Sequence, residues 1–214
     1  MPDPVAQPVA LGFDTSAAHC AAALLRGDRV LASRHEDMAK GQAERLFPLL
    51  EDMLEEAGLA WSDLDVIGVG IGPGNFTGIR VAVAAARGLA LSLGIPARGI
   101  SVTEAAAHAL ARPCRVVIPA RRDQLIWQDF GFAPADDDRA DNAANDSEGR
   151  PQQAAAGALP PGPAPAAPAV PLAEAIAHLA LERRLDPTQP RPAPLYLRPA
   201  DAAPSRGPAL TILP

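Results

Sequence analysis

Gly68-Val-Gly-Ile-Gly-Pro-Gly-Asn-Phe-Thr-Gly-Ile-Arg80 joins an apolar, strand-like run to a long alanine-rich helix through a turn dense in glycine. Glycine lacks a Cβ, so Gly72, Gly74 and Gly78 permit backbone angles and close approaches closed to other residues. The helix behind the turn opens with free N–H groups, which Asn75 or Thr77 can cap. The outline is that of a phosphate cradle, but the residues depart from the known ones. A P-loop requires Lys and then Ser or Thr after its last glycine, whereas Gly78 is followed by Ile79-Arg80. The dinucleotide fingerprint G-x-G-x-x-G fails too, because Pro73, Asn75 and Thr77 fall where each possible third glycine belongs. Tight strand–helix packing is the expected use of these glycines, with an anion site at the helix start as the alternative.

Outward from this turn, Val66–Ile71 reads as a strand feeding it, and a helix follows from about Thr77 to Leu93 with only Arg80, Arg87 and Ser92 interrupting its apolar surface. A helix apolar nearly all round must be covered nearly all round, so one side needs the sheet and the other a second helix or a partner. Upstream, Val9–Phe13, Ala21–Leu25 and Val30–Arg34 form a strand meander whose hairpin signal is Arg26-Gly27-Asp28-Arg29. A helix from Gln42 ends at Gly58, with Leu46, Leu49, Leu50, Met53, Leu54 and Ala57 at helical spacing. With Phe47 its apolar arc spans roughly 160°, wider than one core contact needs. Downstream, Ser101-x-x-Glu104 reads as a capping box opening a short helix that stops before Pro113.

Beyond Pro113 the character changes. Val116–Pro119 and Leu125–Phe130 read as a hairpin, and residues 133–171 are rich in Ala, Pro and Gly with few large apolar side chains. Such a stretch buries too little to offset its ordering entropy and is expected to be irregular. Leu172–Leu185 reads as one more helix, and Leu195-Tyr196-Leu197 as a short edge strand. The element order alone gives an α/β fold. The expected organisation is an N-terminal lobe, residues 1–112, and a reduced C-terminal lobe, residues 113–214.

Several of these words resemble one family. Gly72-Pro-Gly-Asn-Phe-Thr-Gly-Ile-Arg80 is similar to the GPGSFTGxR signature of TsaB, with Asn75 where serine is usual. Phe13-Asp14-Thr15-Ser16 resembles the family's first-strand turn, Glu44–Leu50 its first long helix, Ser101–Ala105 its S-x-x-E-A segment, and Pro194–Pro199 its closing P-x-Y-[LV]-R. The resemblance is dense over residues 9–112 and thin afterwards. It implies an actin-like, ribonuclease-H-like (ASKHA) lobe with a mixed five-stranded sheet. It further implies a non-catalytic subunit of the machinery that places threonylcarbamoyl on adenosine 37 of tRNA. Such a subunit pairs with a TsaD-like catalytic subunit and a TsaE-like ATPase, which carry the metal and the ATP, and it meets tRNA only through the complex. The two apolar helices would then form the interface, through Leu46, Leu50, Met53, Gly74, Phe76, Gly78, Val81, Ala85 and Leu89, and the same surface would serve a homodimer when the partner is absent.

Composition bounds the alternatives. The 214 residues are 48% hydrophobic and 4% aromatic, with net charge −6. Phosphate neutralisation supplies most of the affinity for nucleic acid, so unassisted tRNA binding is not expected. Cys20 and Cys114 match no metal or redox spacing and read as buried, reduced thiols. The N-terminus does not read as a signal peptide, and the apolar run Val81–Leu93, broken by Arg87, is too short to cross a bilayer. A cytoplasmic protein is expected.

Few side chains invite chemistry. Asp14, Thr15 and Ser16 end the first strand, where actin-like proteins place a phosphate-facing carboxylate and hydroxyls; the alternative is a turn in which Asp14 bonds its own backbone. His108 stands alone on the helix where TsaD carries an H-x-x-x-H metal pair, with Glu104 four before it and Arg112 four after. His19, His35 and His178 are scattered, and no G-x-S-x-G elbow is present. The competing functions are a stand-alone actin-like ATPase or small-molecule kinase using Asp14, Thr15 and the glycine turn, and a glycoprotease-type metallopeptidase.

Overall fold

A computed structural model describes residues 7–120, 123–131 and 149–197. Strands β1 (Val9–Asp14), β2 (His19–Arg26), β3 (Arg29–Asp37), β4 (Val66–Gly70) and β5 (Ala97–Ile100) form one sheet in the order β3-β2-β1-β4-β5. The first three pair antiparallel as a meander, while β4 and β5 join parallel to β1. This is the expected mixed five-stranded sheet. All six residues of β1 are buried, because both faces of the central strand are covered.

One face carries α1 (Gln42–Glu56) and α2 (Phe76–Leu93). Leu11, Phe13, Ile67 and Val69 from the sheet meet Leu46, Leu50 and Met53 of α1 and Ile79, Val83 and Ala86 of α2 in a single core. The opposite face carries α4 (Leu172–Glu182), whose alanines settle on Ala10, Ala21, Ala23 and Val66. Small residues let this helix approach closely. A Cβ at Gly12 or Gly68 would strike the backbone of α4 at Ala173 or Ile176. Arg98 of β5 then holds the end of α4, donating to the carbonyls of Arg183 and Arg184 at 2.8 Å.

That placement corrects the expected boundary at residue 112. The helix assigned to a C-terminal lobe completes the N-terminal sheet, and what remains is a second sheet of β6 (Cys114–Pro119), β7 (Gln124–Phe130) and β8 (Gln152–Ala155). The short helix α3 (Val102–Ala107) bridges the two, through Ala105 toward α4 and through Ala106 and Ala107 toward Cys114 and Phe130. The second half is therefore no smaller copy of the first.

The Ala/Pro-rich segment also departs from expectation where it is described. Residues 132–148 lie outside the described residues, but 149–171 is anchored. Strand β8 pairs with β7, and Gln128 donates to the Gly149 carbonyl at 2.6 Å. Arg115, buried and bidentate to Asp129, spends a further N–H on the Pro160 carbonyl at 2.6 Å. Anchoring by backbone carbonyls and one buried arginine needs no large apolar side chains, which is why composition concealed it.

Three smaller differences follow. Residues Leu195–Leu197 form no strand; Leu195 N–H donates a single bond to Ile71 O, and the stretch from residue 187 runs as a strap past Gly99 and Gly72. The capping box is half formed, since Ser101 accepts from Glu104 N–H at 3.1 Å while the Glu104 carboxylate pairs with Arg183. The 18-residue α2 is long and apolar enough, by length and composition, to cross a membrane, because Phe76–Arg80 extends the run judged too short. In the fold its inner face is part of the sheet core.

Candidate functional site

The glycine turn meets the end of β1, and the contact decides what the turn can do. Asn75 caps α2, accepting from Thr77 N–H at 3.0 Å and Gly78 N–H at 3.3 Å; Thr77 takes no part as a cap. Asparagine is thus an effective substitute for serine here. Asn75 N–H donates to Ser16 O at 2.5 Å, and Thr15 Oγ1 donates to Gly78 O at 2.7 Å. A Cβ on Gly74 would overlap the Ser16 carbonyl, and one on Gly78 the Thr15 carbonyl. The backbone of Thr15 and Ser16 thus packs directly against Gly74 and Gly78, while the outer side of the turn, at Gly74, Asn75 and Thr77, lines an open cleft. Tight packing is the use of these glycines.

Asp14, Thr15 and Ser16 are all buried. Asp14 Oδ1 accepts from Ser16 N–H at 2.9 Å and Ser16 Oγ at 2.8 Å, the self-bonded turn anticipated as the alternative to a ligand site. His19 Nε2 lies 2.7 Å from the same oxygen. Asp14 Oδ2 is buried beside Gly70 with no hydrogen-bond partner. His19 reads in the sequence as one of the scattered histidines; four residues, 15–18, separate it from Asp14, and nothing local indicates that the two side chains meet.

Beside this junction opens a cleft of about 1370 Å³, reached by His19, Asn75, Arg80, Gln124 and Tyr196. At its mouth the Arg80 guanidinium lies 3.8 Å over the Phe76 ring and donates to Tyr196 Oη at 3.0 Å, while the two rings stack at 4.8 Å. Both motifs were visible in the sequence, but 116 residues separate Arg80 from Tyr196, and nothing local indicates that they meet.

The expected interface residues divide. Leu46, Leu50 and Met53 lie in the chain's own core, and Gly78 is closed by Thr15, so none of the four is available to a partner. The wide arc of α1 is consumed by the sheet, apart from Phe47, which turns outward near Trp61. Gly74 is exposed, while Phe76, Val81, Ala85 and Leu89 are half-buried. The bare face of α2 runs through Ala84, Gly88 and Leu91, the last 86% exposed.

Other candidate chemistry is not assembled. Burial pushes the Cys20 thiol up to about 11, helped by Glu36, so it stays protonated. His108 stacks on His178 at 5.5 Å across α3 and α4, and burial holds its pKa below the usual value. Among the described residues no three His, Cys, Asp or Glu side chains converge in a metal-holding group.

The family model described as TsaD, tRNA N6-adenosine threonylcarbamoyltransferase, matches residues 31–182. A protein of Escherichia coli K12 named tRNA threonylcarbamoyladenosine biosynthesis protein TsaB is 30% identical over 125 residues, 56% of this chain and 54% of its own. The chain belongs to this family, in its TsaB branch. The TsaB of Buchnera aphidicola is 32% identical over 127 residues, and the chain spans 60% of its length. An uncharacterized Mycobacterium tuberculosis protein, Rv3421c, is 34% identical over 210 residues, covering 91% of this chain and 93% of its own. A crystal structure described by its similarity to the peptidase YeaZ from Pseudomonas aeruginosa superposes with a TM-score of 0.68 at 27% identity, over 89% of this chain and all of the other. YeaZ from Pseudomonas aeruginosa itself gives 0.52 at 32% identity, over 69% and 67%. The TsaB branch and the five-stranded α/β sheet agree with the resemblance in the glycine turn.

Proposed function

We propose that the chain is a non-catalytic, cytoplasmic subunit of the assembly that adds threonylcarbamoyl to adenosine 37 of tRNA, and that it supports a TsaD-like catalytic subunit. The observation that supports this reading is the packing of the glycine turn: the Thr15 and Ser16 backbone sits against Gly78 and Gly74, so these glycines serve strand–helix packing, and the turn lacks the Lys-Ser/Thr of a P-loop. The bare apolar side of α2 supports the second half of the reading, because an apolar helix face left in water is a docking surface in waiting. ATP and the metal would reside on the TsaD-like and TsaE-like partners, and tRNA would be met through the complex, in keeping with the chain's net charge of −6.

The experiment is turnover and co-purification with the full chain. Alone, it is expected neither to hydrolyse ATP nor to modify tRNA, and it is expected to co-purify with the TsaD-like subunit. Metal-dependent turnover that disappears in Asp14→Ala would overturn the reading. A second reading, a stand-alone actin-like ATPase, draws on the 1370 Å³ cleft and the unpartnered Asp14 Oδ2 behind it. Calorimetric titration with ATP and Mg²⁺ separates the two, since only the ATPase reading expects saturable binding. The metallopeptidase reading requires a metal-holding cluster around His108, and no group of three His, Cys, Asp or Glu side chains gathers among the described residues.

A further inference from the structure

Between α2 and the C-terminal strap lies a groove of about 410 Å³ lined by Arg80, Val83, Ala84, Arg87 and Pro194. Val83, Ala84 and Pro194 are its apolar lining, and Arg80 and Arg87 are its charged residues. Arg80 and Arg87 are the only ionisable residues of α2, seven positions apart on one side of the helix. Two turns of helix separate them by about 10 Å. Among the described residues neither is paired with a carboxylate. Arg80 bonds Tyr196 and packs on Phe76, and Arg87 makes no hydrogen bond or ion pair among the described residues. Other arginines of this acidic chain do hold acids, Arg45 with Glu36 and Asp52, Arg115 with Asp129 and Arg183 with Glu104, while Arg98 and Arg184 donate to backbone carbonyls.

A cation covered by an apolar partner without a counter-charge is costly, so whatever covers this face must bring anions to these two positions. We infer that the groove accepts an acidic side chain projecting from an apolar helix of the partner subunit, held between Arg80 and Arg87 with Pro194 as its wall. The inference rests on the assembly reading and adds its selectivity: α2 supplies area, and the two arginines choose a partner that carries a carboxylate. Arg80 is already oriented by Phe76 and Tyr196, which lowers the ordering cost of capturing the acid. The strap thereby becomes part of the docking surface. A nucleic-acid phosphate would also meet a guanidinium, but Val83, Ala84 and Pro194 between the cations, Leu91 beyond them, and the net charge of −6 favour protein.

The test titrates the full chain with the TsaD-like subunit of the same organism at low and high salt, for wild type, Arg87→Glu, Arg87→Lys and the remote control Arg26→Glu. Because Arg87 is exposed and makes no hydrogen bond or ion pair among the described residues, Arg87→Glu is expected to fold with an unchanged circular-dichroism spectrum. It should bind about tenfold or more weakly and lose most of the salt dependence, with Arg87→Lys between it and wild type. Binding by Arg87→Glu equal to Arg26→Glu overturns the proposal while leaving the assembly reading intact. Wild type failing to bind overturns the assembly reading and this proposal with it. Unchanged protein affinity with weakened tRNA binding to the complex would make the groove a phosphate reader and overturn it as well.

Discussion

Thr15 and Gly78 are locked face to face: the Thr15 hydroxyl donates to the Gly78 carbonyl at 2.7 Å, and the Gly78 Cα lies so close to the Thr15 carbonyl that a Cβ has no room. The glycine of the turn and the loop after β1 are thus a single packed unit, and the first prediction follows from it. Gly78→Ala must push backbone against backbone, which cannot be relieved by a rotamer change. A loss of about 2–3 kcal/mol in urea unfolding is expected, the upper end of overpacking costs. Gly88 in the same helix faces open space, and Gly88→Ala should instead stabilise by about 0.5–1 kcal/mol. Equal effects at the two sites would mean that the Thr15 contact is not made.

The two sides of α2 should respond in opposite ways to charge. Val83 is in the sheet core, so Val83→Asp buries an unpaired carboxylate and should cost several kcal/mol, read as a non-native circular-dichroism spectrum. Leu91 is on the bare side. Leu91→Asp should melt like wild type and lose association in sedimentation velocity with the TsaD-like subunit. Retained association would move the docking surface away from this part of the helix.

Arg115 should matter to the second sheet more than its composition advertises. It is bidentate to Asp129 and also reaches Pro160, so Arg115→Ala releases β6, β7 and the 149–168 segment together. Removing one partner of a buried pair costs about 3–5 kcal/mol, and Asp129 is partly open to water, so about 3 kcal/mol is expected. Deleting 149–168 should destabilise for the same reason, with loss of β8. A deletion variant with an unchanged melting temperature would show the segment to be dispensable.

His108 gives a pH dependence with a definite sign. Burial holds its pKa below the ordinary 6.5, against the pull of Glu182; His178 and Arg112, which also face it, push the same way as burial. Above 6.5 neither the folded nor the unfolded chain is protonated there. As pH falls through that value the unfolded chain takes up a proton that the folded chain refuses, so stability is lost on the acid side. Glu36 and Asp186, both depressed by hydrogen bonds from Arg45 and Thr188 respectively, act only nearer their ordinary values of 4.5 and 3.8. Melting between about pH 7.5 and 5.5 therefore stays above the two carboxylates, and comparison with a His108 variant separates this histidine from the other three. Wild type should lose stability over that window and His108→Phe should lose less; parallel curves would assign the loss elsewhere.

The sequence by itself determined the local elements and the family. The meander, α1, α2 and the glycine turn are written in periodicity and in residues whose constraints are local: Gly27 and Gly58 take left-handed backbone where a turn and a helix end demand it, and Asn75 caps the helix that it precedes. What a strand or helix packs against is a different kind of information. That α4 completes the first sheet depends on Gly12, Gly68 and a set of alanines lying at one depth, and small residues leave no periodic signature. That Leu46, Leu50 and Met53 are consumed by the core, and Leu91 is not, depends on how far α1 and α2 are rotated toward β2 and β4. The pairings of Thr15 with Gly78, Arg80 with Tyr196 and Arg115 with Pro160 join residues dozens of positions apart. Local preference sets what each segment is, while chain closure over long separations decides which faces are left for a partner, and only the tertiary structure holds that answer.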